Sequence, residues 1–176
     1  MDQLEDLAGE EGLTLEAVEA MMTAAITHRA DATRADALQL VCSHRRTTAL
    51  PTPLELRLAA AAVTHCLRCT SAVFRSKLAA RVATLLVRAR GSAAAYHNRR
   101  GDWGKPGSTE VVAALQAWLQ WLTETLVASA YPGSPFERKF MAVELLGKAL
   151  EVFGDQLRGQ EVSRAAHSAL LGRRTA

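Results

Sequence analysis

The sequence has few aromatic residues and no long apolar run. Aromatic side chains make up 5% of the 176 residues, although 49% of the residues are hydrophobic. Alanine and leucine supply much of the difference, and both rank at the top of intrinsic helix propensity. A charged residue interrupts every apolar run well before the ~20 residues that a transmembrane helix needs. We therefore expect a helical domain, or a piece of a longer helical array, that is cytoplasmic and does not enter a membrane.

The sequence also contains none of the short motifs that carry common enzyme chemistry. It has no glycine-rich phosphate loop, no G-x-S-x-G nucleophile elbow and no H-E-x-x-H metal motif. The five histidines are scattered, without a carboxylate at a telling spacing. Cys66 and Cys69 form one C-x-x-C pair, whereas a structural zinc site usually needs two such pairs. We expect no catalytic residue, no cofactor and no bound metal.

Basic residues are absent from the start of the chain and abundant in its middle. Residues 1–19 hold seven acidic residues and no lysine or arginine, and the first basic residue is Arg29. We therefore expect neither a secretory signal nor a transit peptide. Residues 21–105 hold 14 basic residues against four acidic ones. Such a segment suits a polyanion or an acidic protein surface, although a solvated helix face is the plainer explanation.

Two similar tetrapeptides predict helix starts. In "TPLE", Thr52 to Glu55, the threonine is the N-cap, the proline takes the first helical position and the glutamate completes a capping box. In "SPFE", Ser134 to Glu137, the same device recurs 82 residues later. That spacing is close to two helical repeats of about 40 residues each.

The apolar periodicity predicts six or seven helices and no strand. They begin at the caps Thr14, Thr52, Ser71, Ser108 and Ser134 and near residue 32, and a weaker last helix covers 156–171. The predicted organisation is an acidic segment over 1–13, a helical-repeat region over 14–172 with a basic loop near 91–107, and a tail over 173–176. The predicted fold is all-α, an armadillo- or HEAT-like α-solenoid of paired antiparallel helices, and a closed bundle is the alternative.

The helix that follows "SPFE" is apolar on two sides. One side holds Phe136, Phe140, Val143, Leu146 and Leu150, with Gly147 between them, and the nearly opposite side holds Met141, Leu145 and Val152. Glu144 and Lys148 are predicted to pair at i,i+4, and Gly154 to end the helix. Because apolar faces must be covered, we expect this helix to be an inner member of a stacked array.

One helix face and two loops hold the candidate RNA- or partner-facing residues. At 100° per residue, Lys77, Arg81 and Arg88 fall within about 40° of one another beside an apolar stripe. Further basic residues are predicted in the flanking loops, namely Arg45, Arg46, Arg99, Arg100 and Lys105. Trp103 is the only aromatic among these bases, but one aromatic is not a stacking platform, so a loop anchor is the favoured interpretation.

Three segments together resemble the thyroid adenoma-associated (THADA) family. They are "DALQLVCSHRRTTALPTPLELRL" (36–58), "FRSKLAARVATLLVRAR" (74–90) and "YPGSPFERKFMAVELLGKALEVF" (131–153). In that family an acid-led helix, a "TT…P…P.EL" connection, a basic "FR" helix and a "YP.(S/A)P(Y/F)ERK" helix occur in this order. The resemblance covers about residues 32–154, is most specific in "YPGSPFERKFMAVELL", and has a plant- or alga-like character.

The resemblance implies an armadillo-like scaffold that works with a Rossmann-fold 2′-O-methyltransferase. That pair methylates the ribose of nucleotide 32 in the tRNA anticodon loop, and the scaffold is not the enzyme but helps to present the tRNA. Family members are very large, so the resemblance also implies that the chain corresponds to one stretch of them. The rival hypothesis from the residues alone is a free-standing α-helical module that binds an acidic protein and no RNA.

Overall fold

The computed structural model describes residues 4, 9, 11–44, 46, 49–97 and 108–157, and every regular element in these ranges is helical. Its six helices are α1 (Leu15–Ile26), α2 (Asp31–Cys42), α3 (Pro53–Cys66), α4 (Ala72–His97), α5 (Ser108–Ser129) and α6 (Phe136–Leu157). None of the described helices combines the length and the apolar character that crossing a bilayer demands.

The six helices form two layers. In the first layer α3 contacts both α1 and α5, and in the second layer α4 contacts both α2 and α6. Short connections join α1 to α2, α3 to α4 and α5 to α6, which makes each pair antiparallel. Layers that grow one helix at a time are typical of α-solenoids, because each repeat buries its apolar face on its neighbour. The predicted all-α solenoid of paired helices is therefore confirmed.

Three of the predicted helix starts are confirmed by their hydrogen bonds. The hydroxyl of Thr14 accepts from the backbone N–H of Ala17 at 3.2 Å, and the hydroxyl of Ser71 accepts from Phe74 at 3.3 Å. At the start of α3 the capping box is complete: the N–H of Glu55 donates to the Thr52 hydroxyl, and the Glu55 carboxylate accepts from the Thr52 N–H at 2.8 Å.

The second predicted capping box, in "SPFE", is wrong. Helix α6 begins at Phe136, and the carbonyl of Pro135 accepts the first helical hydrogen bond, from Lys139 at 3.0 Å. Ser134 therefore lies one residue too early to cap the helix, and among the described residues no hydrogen bond joins it to Glu137. The turn, rather than a cap, fixes this start, because the N–H of Ser134 is committed to the carbonyl of Tyr131 at 2.9 Å.

Two helices run further than the sequence indicates. Helix α4 continues to His97, through the first residues of the loop expected near 91–107, and α6 passes Gly154 and ends at Leu157. A single glycine costs a helix only about 1 kcal/mol, which favourable neighbours offset. In α4 the favourable neighbours of Gly91 are the alanines at 93–95 and Ser92, whose Oγ donates to the Ala89 carbonyl at 2.9 Å. The weak last helix predicted over 156–171 lies almost wholly outside the described residues.

The core runs between the layers, and α4 is its central member. The predicted apolar stripe of α4 is confirmed, since Phe74, Leu78, Val82, Leu85 and Leu86 are at most 1% exposed. Trp118 of α5 is 6% exposed and Trp121 is half-buried, as expected for core and rim positions one turn apart. This arrangement leaves the outward sides of α2, α4 and α6 as one surface of the molecule.

Candidate nucleic-acid interface on the second helical layer

Two of the three basic residues predicted on α4 lie at the protein surface. Lys77 is exposed, and Arg81 is half-buried. The guanidinium Nη2 of Arg81 donates to Oε1 of Gln39 on α2 at 2.9 Å, which orients it along the junction of the two helices. Lys77 and Arg81 are four residues apart, so their charges lie one helical turn from each other on the α2 side of α4.

Arg88 is not part of this surface, so its assignment as an RNA- or partner-facing residue is wrong. Its side chain is 3% exposed, and its Nη2 donates to Oε2 of Glu55 on α3 at 2.6 Å. The helical wheel gave the correct angle for Arg88 but not its burial. Burial results from α3, whose first turn brings the Glu55 carboxylate, itself 1% exposed, against this side of α4.

Glu55 is the residue whose second role the sequence analysis missed. Its Oε2 accepts both from the Thr52 N–H, inside α3, and from Arg88 on α4. A buried charge pair costs desolvation free energy, and removing one partner of such a pair is strongly destabilising. The available sequence signal was that Arg88 directly follows a buried stripe and is flanked by the apolar residues 85–87 and 89.

The region around this ion pair is buried. Nε and Nη1 of Arg88 are buried without a hydrogen-bond partner. Cys42 of α2 is fully buried beside the pair, and this burial raises the pKa of its thiol to about 12 although the nearby Arg88 lowers it. The thiol is therefore protonated at neutral pH, and this region holds the layers together rather than binding a ligand.

Most of the basic loop residues predicted from the sequence fall outside the described structure. Arg45, Arg99, Arg100 and Lys105 lie there, as does Trp103. Arg46 is described and exposed, and its backbone N–H donates to Nδ1 of His44 at 2.9 Å. Arg46, Lys77 and Arg81 are therefore the members of the predicted set that are described and at least partly exposed.

The structure gathers a second basic group, of which the sequence analysis singled out only Lys77. The connections within the three helix pairs lie at the same end of the array, and we call the segments 27–35, 67–77 and 130–139 the turn edge. Nη2 of Arg34 lies 3.7 Å from Sγ of Cys69, and hydrogen bonds from Ser71 and Arg34 lower the pKa of Asp31. These contacts join the first segment to the second.

The turn edge is strongly basic. Its basic residues are Arg29, Arg34, Arg68, Arg75, Lys77, Arg138 and Lys139, and its acidic residues are Asp31 and Glu137. Some of these cations stabilise the turns, since Arg75 Nη1 donates to the carbonyls of Cys69 and Thr70 at 3.1 and 2.8 Å. Arg29, Arg68 and Lys77 are exposed. The chain folding, not the sequence spacing, brings these residues from three distant segments to one edge.

Helix α6 is covered on only one of its two apolar sides. Met141 and Leu145 are 0% exposed, whereas Phe136 is 69% and Val143 60% exposed. A Cβ added to Gly147, which lies among the exposed residues, would have no heavy atom within 4 Å. The expectation that α6 is covered on both sides is therefore wrong for the described structure.

The charge pair predicted beside this face is also different from the observed one. Lys148 Nζ binds Glu151 Oε2 at 2.9 Å, instead of pairing with Glu144.

A shallow apolar groove of about 350 Å³ lies between α3 and α5 on the first layer. Its lining residues include Ala60, Ala114, Trp118 and Trp121, and Arg57 also lines it. The Arg57 guanidinium is held by a two-pronged ion pair with Glu19 of α1, at 2.8 and 2.6 Å, and this pairing lowers the pKa of Glu19. The groove thus offers apolar surface but no free charge of the kind that a phosphate needs.

The thiols and carboxylates of the described residues do not assemble a metal site. No group of three or more histidine, cysteine, aspartate or glutamate side chains converges within the described ranges. Cys42, Cys66 and Cys69 are free, and burial raises the pKa of Cys66 to about 11.

A helical array with these features matches one known family of proteins. The family model described as "Trm732, TPR repeats" matches residues 4–169, which is nearly the whole chain. The chain belongs to this family. It is a THADA-related family of regulators of tRNA 2′-O-methylation, which confirms the resemblance found in the sequence.

The match covers all six helices of the array, so the surfaces of both layers belong to the matched region. The family description names helical repeats and no catalytic domain. Neither the curated proteins nor the solved structures contain a significant match to the chain.

Proposed function

We propose that this chain is a non-catalytic scaffold that regulates 2′-O-methylation of tRNA at nucleotide 32 of the anticodon loop. In this proposal it works in the cytoplasm with a Rossmann-fold methyltransferase, which supplies the catalytic residues and the methyl donor site. The observation that carries the proposal is the match of residues 4–169 to the Trm732 repeat family. The scaffold role assigns to the chain the positioning of tRNA or enzyme, and no chemical step.

The surface charge supports a contact with the tRNA backbone. Arg46, Lys77 and Arg81 are at least partly exposed, and the latter two lie on the same side of α4. Phosphate contacts from such residues are insensitive to sequence and weaken with salt, because binding releases counterions that are condensed on the nucleic acid. Arg45, Arg99, Arg100 and Lys105 are proposed to extend this contact from the adjoining loops, whereas Arg88 is excluded by its burial.

The experiment that tests the regulator function combines the chain, the partner methyltransferase and a tRNA transcript. We expect 2′-O-methylation at nucleotide 32 to require both proteins, and we expect the chain alone to transfer no methyl group. Full methylation by the enzyme without the chain would contradict the proposal. So would methyl transfer by the chain alone.

The contact with tRNA is tested by replacing Lys77 and Arg81 by alanine. Arg57→Ala, on the first layer, is the single-charge control. The double variant should bind tRNA more weakly and with a salt dependence whose slope is reduced by about two, since each lost phosphate contact contributes about one. Arg57→Ala should leave the slope unchanged.

The same variants decide between RNA and an acidic protein as the ligand of this surface. If the Lys77 and Arg81 double variant keeps its tRNA affinity and salt slope but no longer binds the methyltransferase, the basic side of α4 contacts the protein partner. In that case the regulator function stands, and the RNA contact on α4 is wrong.

A further inference from the structure

Among the described aromatic residues, some lie in the core, whereas two phenylalanines lie together at the surface. Phe74, Trp118 and Phe153 are at most 6% exposed, as expected for large apolar side chains. In contrast, Phe136 is 69% and Phe140 46% exposed, and both lie in the first turns of α6. Exposing an apolar ring forgoes the ~1.5–3 kcal/mol that its burial contributes to stability. These two rings therefore stabilise little within the described structure.

The two rings form a pair with an arginine beside them. The ring centroids of Phe136 and Phe140 are 6.1 Å apart, and the ring planes are tilted by 30°. The guanidinium of Arg75, from the first turn of α4, lies 5.4 Å from the centre of the Phe140 ring. Its hydrogen bonds to the carbonyls of Cys69 and Thr70 hold it there, so α4 and the preceding turn fix this geometry.

Phe136 lies on the turn edge, where cations outnumber acids, and Phe140 directly follows the last segment of this edge in the sequence. Arg138 and Lys139 follow Phe136 and Glu137 in α6, and Arg68 is exposed in the turn that precedes α4. Lys139 Nζ donates to the carbonyl of Pro132 at 3.1 Å, and Arg138 Nε donates to Ser129 Oγ at 3.0 Å. Exposed rings among ordered cations are the arrangement that proteins use for single strands, because rings stack on bases while cations attract phosphates.

We propose that Phe136 and Phe140 are a stacking platform for unpaired RNA bases, and that the cations of the turn edge attract the phosphates of the same strand. The inference deepens the proposed function and rests on it, since an anticodon loop presents unpaired bases. It differs from that function in assigning a site, with π-stacking as the chemistry of recognition. A base has a π face whatever its identity, so the platform reads unpaired structure rather than sequence.

The decisive variant replaces both phenylalanines by leucine. Leucine keeps the surface apolar but removes the aromatic face, so the change separates base stacking from ordinary hydrophobic contact with a protein. Both positions are exposed, and helical content measured by circular dichroism should not change. Leu150→Ala is the matched control, because Leu150 is a 42% exposed apolar residue on the same side of α6 but is not aromatic.

Binding is measured by fluorescence anisotropy with two probes, an anticodon stem-loop RNA and a fully paired duplex of equal length. For the stem-loop, we expect Phe136→Leu with Phe140→Leu to lower the affinity of the full chain by about tenfold or more, from the usual strength of base stacking. The affinity for the duplex and the salt slope should stay the same, because no charge is removed. Leu150→Ala should behave as the unchanged chain.

Three outcomes overturn the inference. Unchanged affinity of the leucine variant for the stem-loop would show an apolar surface for a protein or a neighbouring repeat. An equal loss of affinity for the stem-loop and the duplex would show that the rings do not select unpaired bases. Absence of stem-loop binding by the unchanged chain would also refute the platform. The methylation assay separates these outcomes from failure of the regulator function. If methylation at nucleotide 32 still requires the unchanged chain, the regulator function stands although the platform is wrong. If methylation does not require the chain, the regulator function is wrong as well.

Discussion

Helices α4 and α6 are neighbours in the same layer, yet α4 buries a charged residue and α6 exposes apolar ones. In α4 a basic residue, Arg88, is 3% exposed and bound to Glu55. In α6 an aromatic residue, Phe136, is 69% exposed. From the sequence alone, Arg88 is predicted to lie at the surface and Phe136 to be covered by a neighbouring helix. Periodicity gives the direction of a side chain from its own helix, but whether that direction is buried depends on the other helices around it.

The difference also separates residues that hold the fold from residues that are free to bind. Helix α4 is contacted by α2, α3 and α6, whereas the described contacts of α6 come mainly from α4 and α5. Arg88 on α4 therefore meets a carboxylate from α3, while Phe136 on the outward side of α6 is left exposed. We expect mutations of the first kind to change stability, and those of the second kind to change binding.

The largest expected effect contrasts the two apolar sides of α6. Leu145 is 0% exposed and Val143 is 60% exposed. Leu145→Asp should unfold or aggregate the chain, because it buries a charge without a partner, and such changes lie at the upper end of point-mutation effects, above ~4 kcal/mol. Val143→Asp should lower the free energy of unfolding by less than ~0.5 kcal/mol. Urea denaturation followed by circular dichroism measures both, and equal effects would remove the asymmetry of α6.

The next effect breaks the buried ion pair of α4. Arg88→Met should lower the free energy of unfolding by about 3–5 kcal/mol, because it leaves the Glu55 carboxylate buried without its arginine. The double variant Arg88→Met with Glu55→Gln should recover part of this loss, since glutamine is neutral and still accepts a hydrogen bond from Thr52. Urea unfolding of the single and double variants checks it. A single variant within ~0.5 kcal/mol of the unchanged chain would place Arg88 at the surface after all.

A smaller effect compares the two tetrapeptides that look alike in the sequence. Thr52→Ala removes an observed N-cap and should cost about 1 kcal/mol of stability. Ser134→Ala removes no capping bond to α6 and should cost only a few tenths of that. Thermal unfolding of the two variants measures the difference. Equal destabilisation would mean that both tetrapeptides cap their helices.

The smallest effect concerns pH, and it tests how well the interior beside α4 excludes water. Burial raises the pKa of Cys42 to about 12 in the folded chain, from 9.0 for an unperturbed thiol. A raised folded pKa gives stability that is present below pH 9 and is lost between about pH 9 and 12, because the unfolded thiol ionises first. Between pH 8 and 9 the free energy of unfolding should fall by about 0.4 kcal/mol for this reason. The Cys42→Val variant, which has no thiol at this position, should not show this fall. A thiol reagent at pH 8 should modify the half-buried Cys69 and leave Cys42 unreacted.

The fold was predictable because its signals are local. Thr14, Thr52 and Ser71 are helix caps in the structure as in the sequence, and the stripe from Phe74 to Leu86 is buried as its period predicts. The ends of α4 and α6 were not predictable to the same degree, since the cost of a single glycine is small enough for a helix to continue past it, with the help of alanines in α4. The capping box predicted at Ser134 is wrong although the sequence matches the motif, because the backbone N–H of Ser134 donates to the Tyr131 carbonyl in the preceding turn.

The candidate site was predictable only in part, because it depends on contacts between distant segments. Lys77 and Arg81 lie at the surface as expected, since they share one helix and one side of it. The prediction that Arg88 lies at the surface is wrong because Glu55, 33 residues away in the sequence, binds it from another helix. The approach of Arg75 to Phe140 is equally non-local, and periodicity within a helix holds no information about it.

The most direct test of where this chain meets RNA is photo-crosslinking. An anticodon stem-loop with 4-thiouridine in its loop is irradiated in complex with the chain, and the linked peptides are identified by mass spectrometry. If the second layer is the RNA-facing surface, the cross-links should map to the start of α6 around Phe136 and Phe140 and to the first turns of α4. Cross-links confined to α1, α3 and α5 would contradict that placement. So would cross-links that an unrelated duplex competes away equally well.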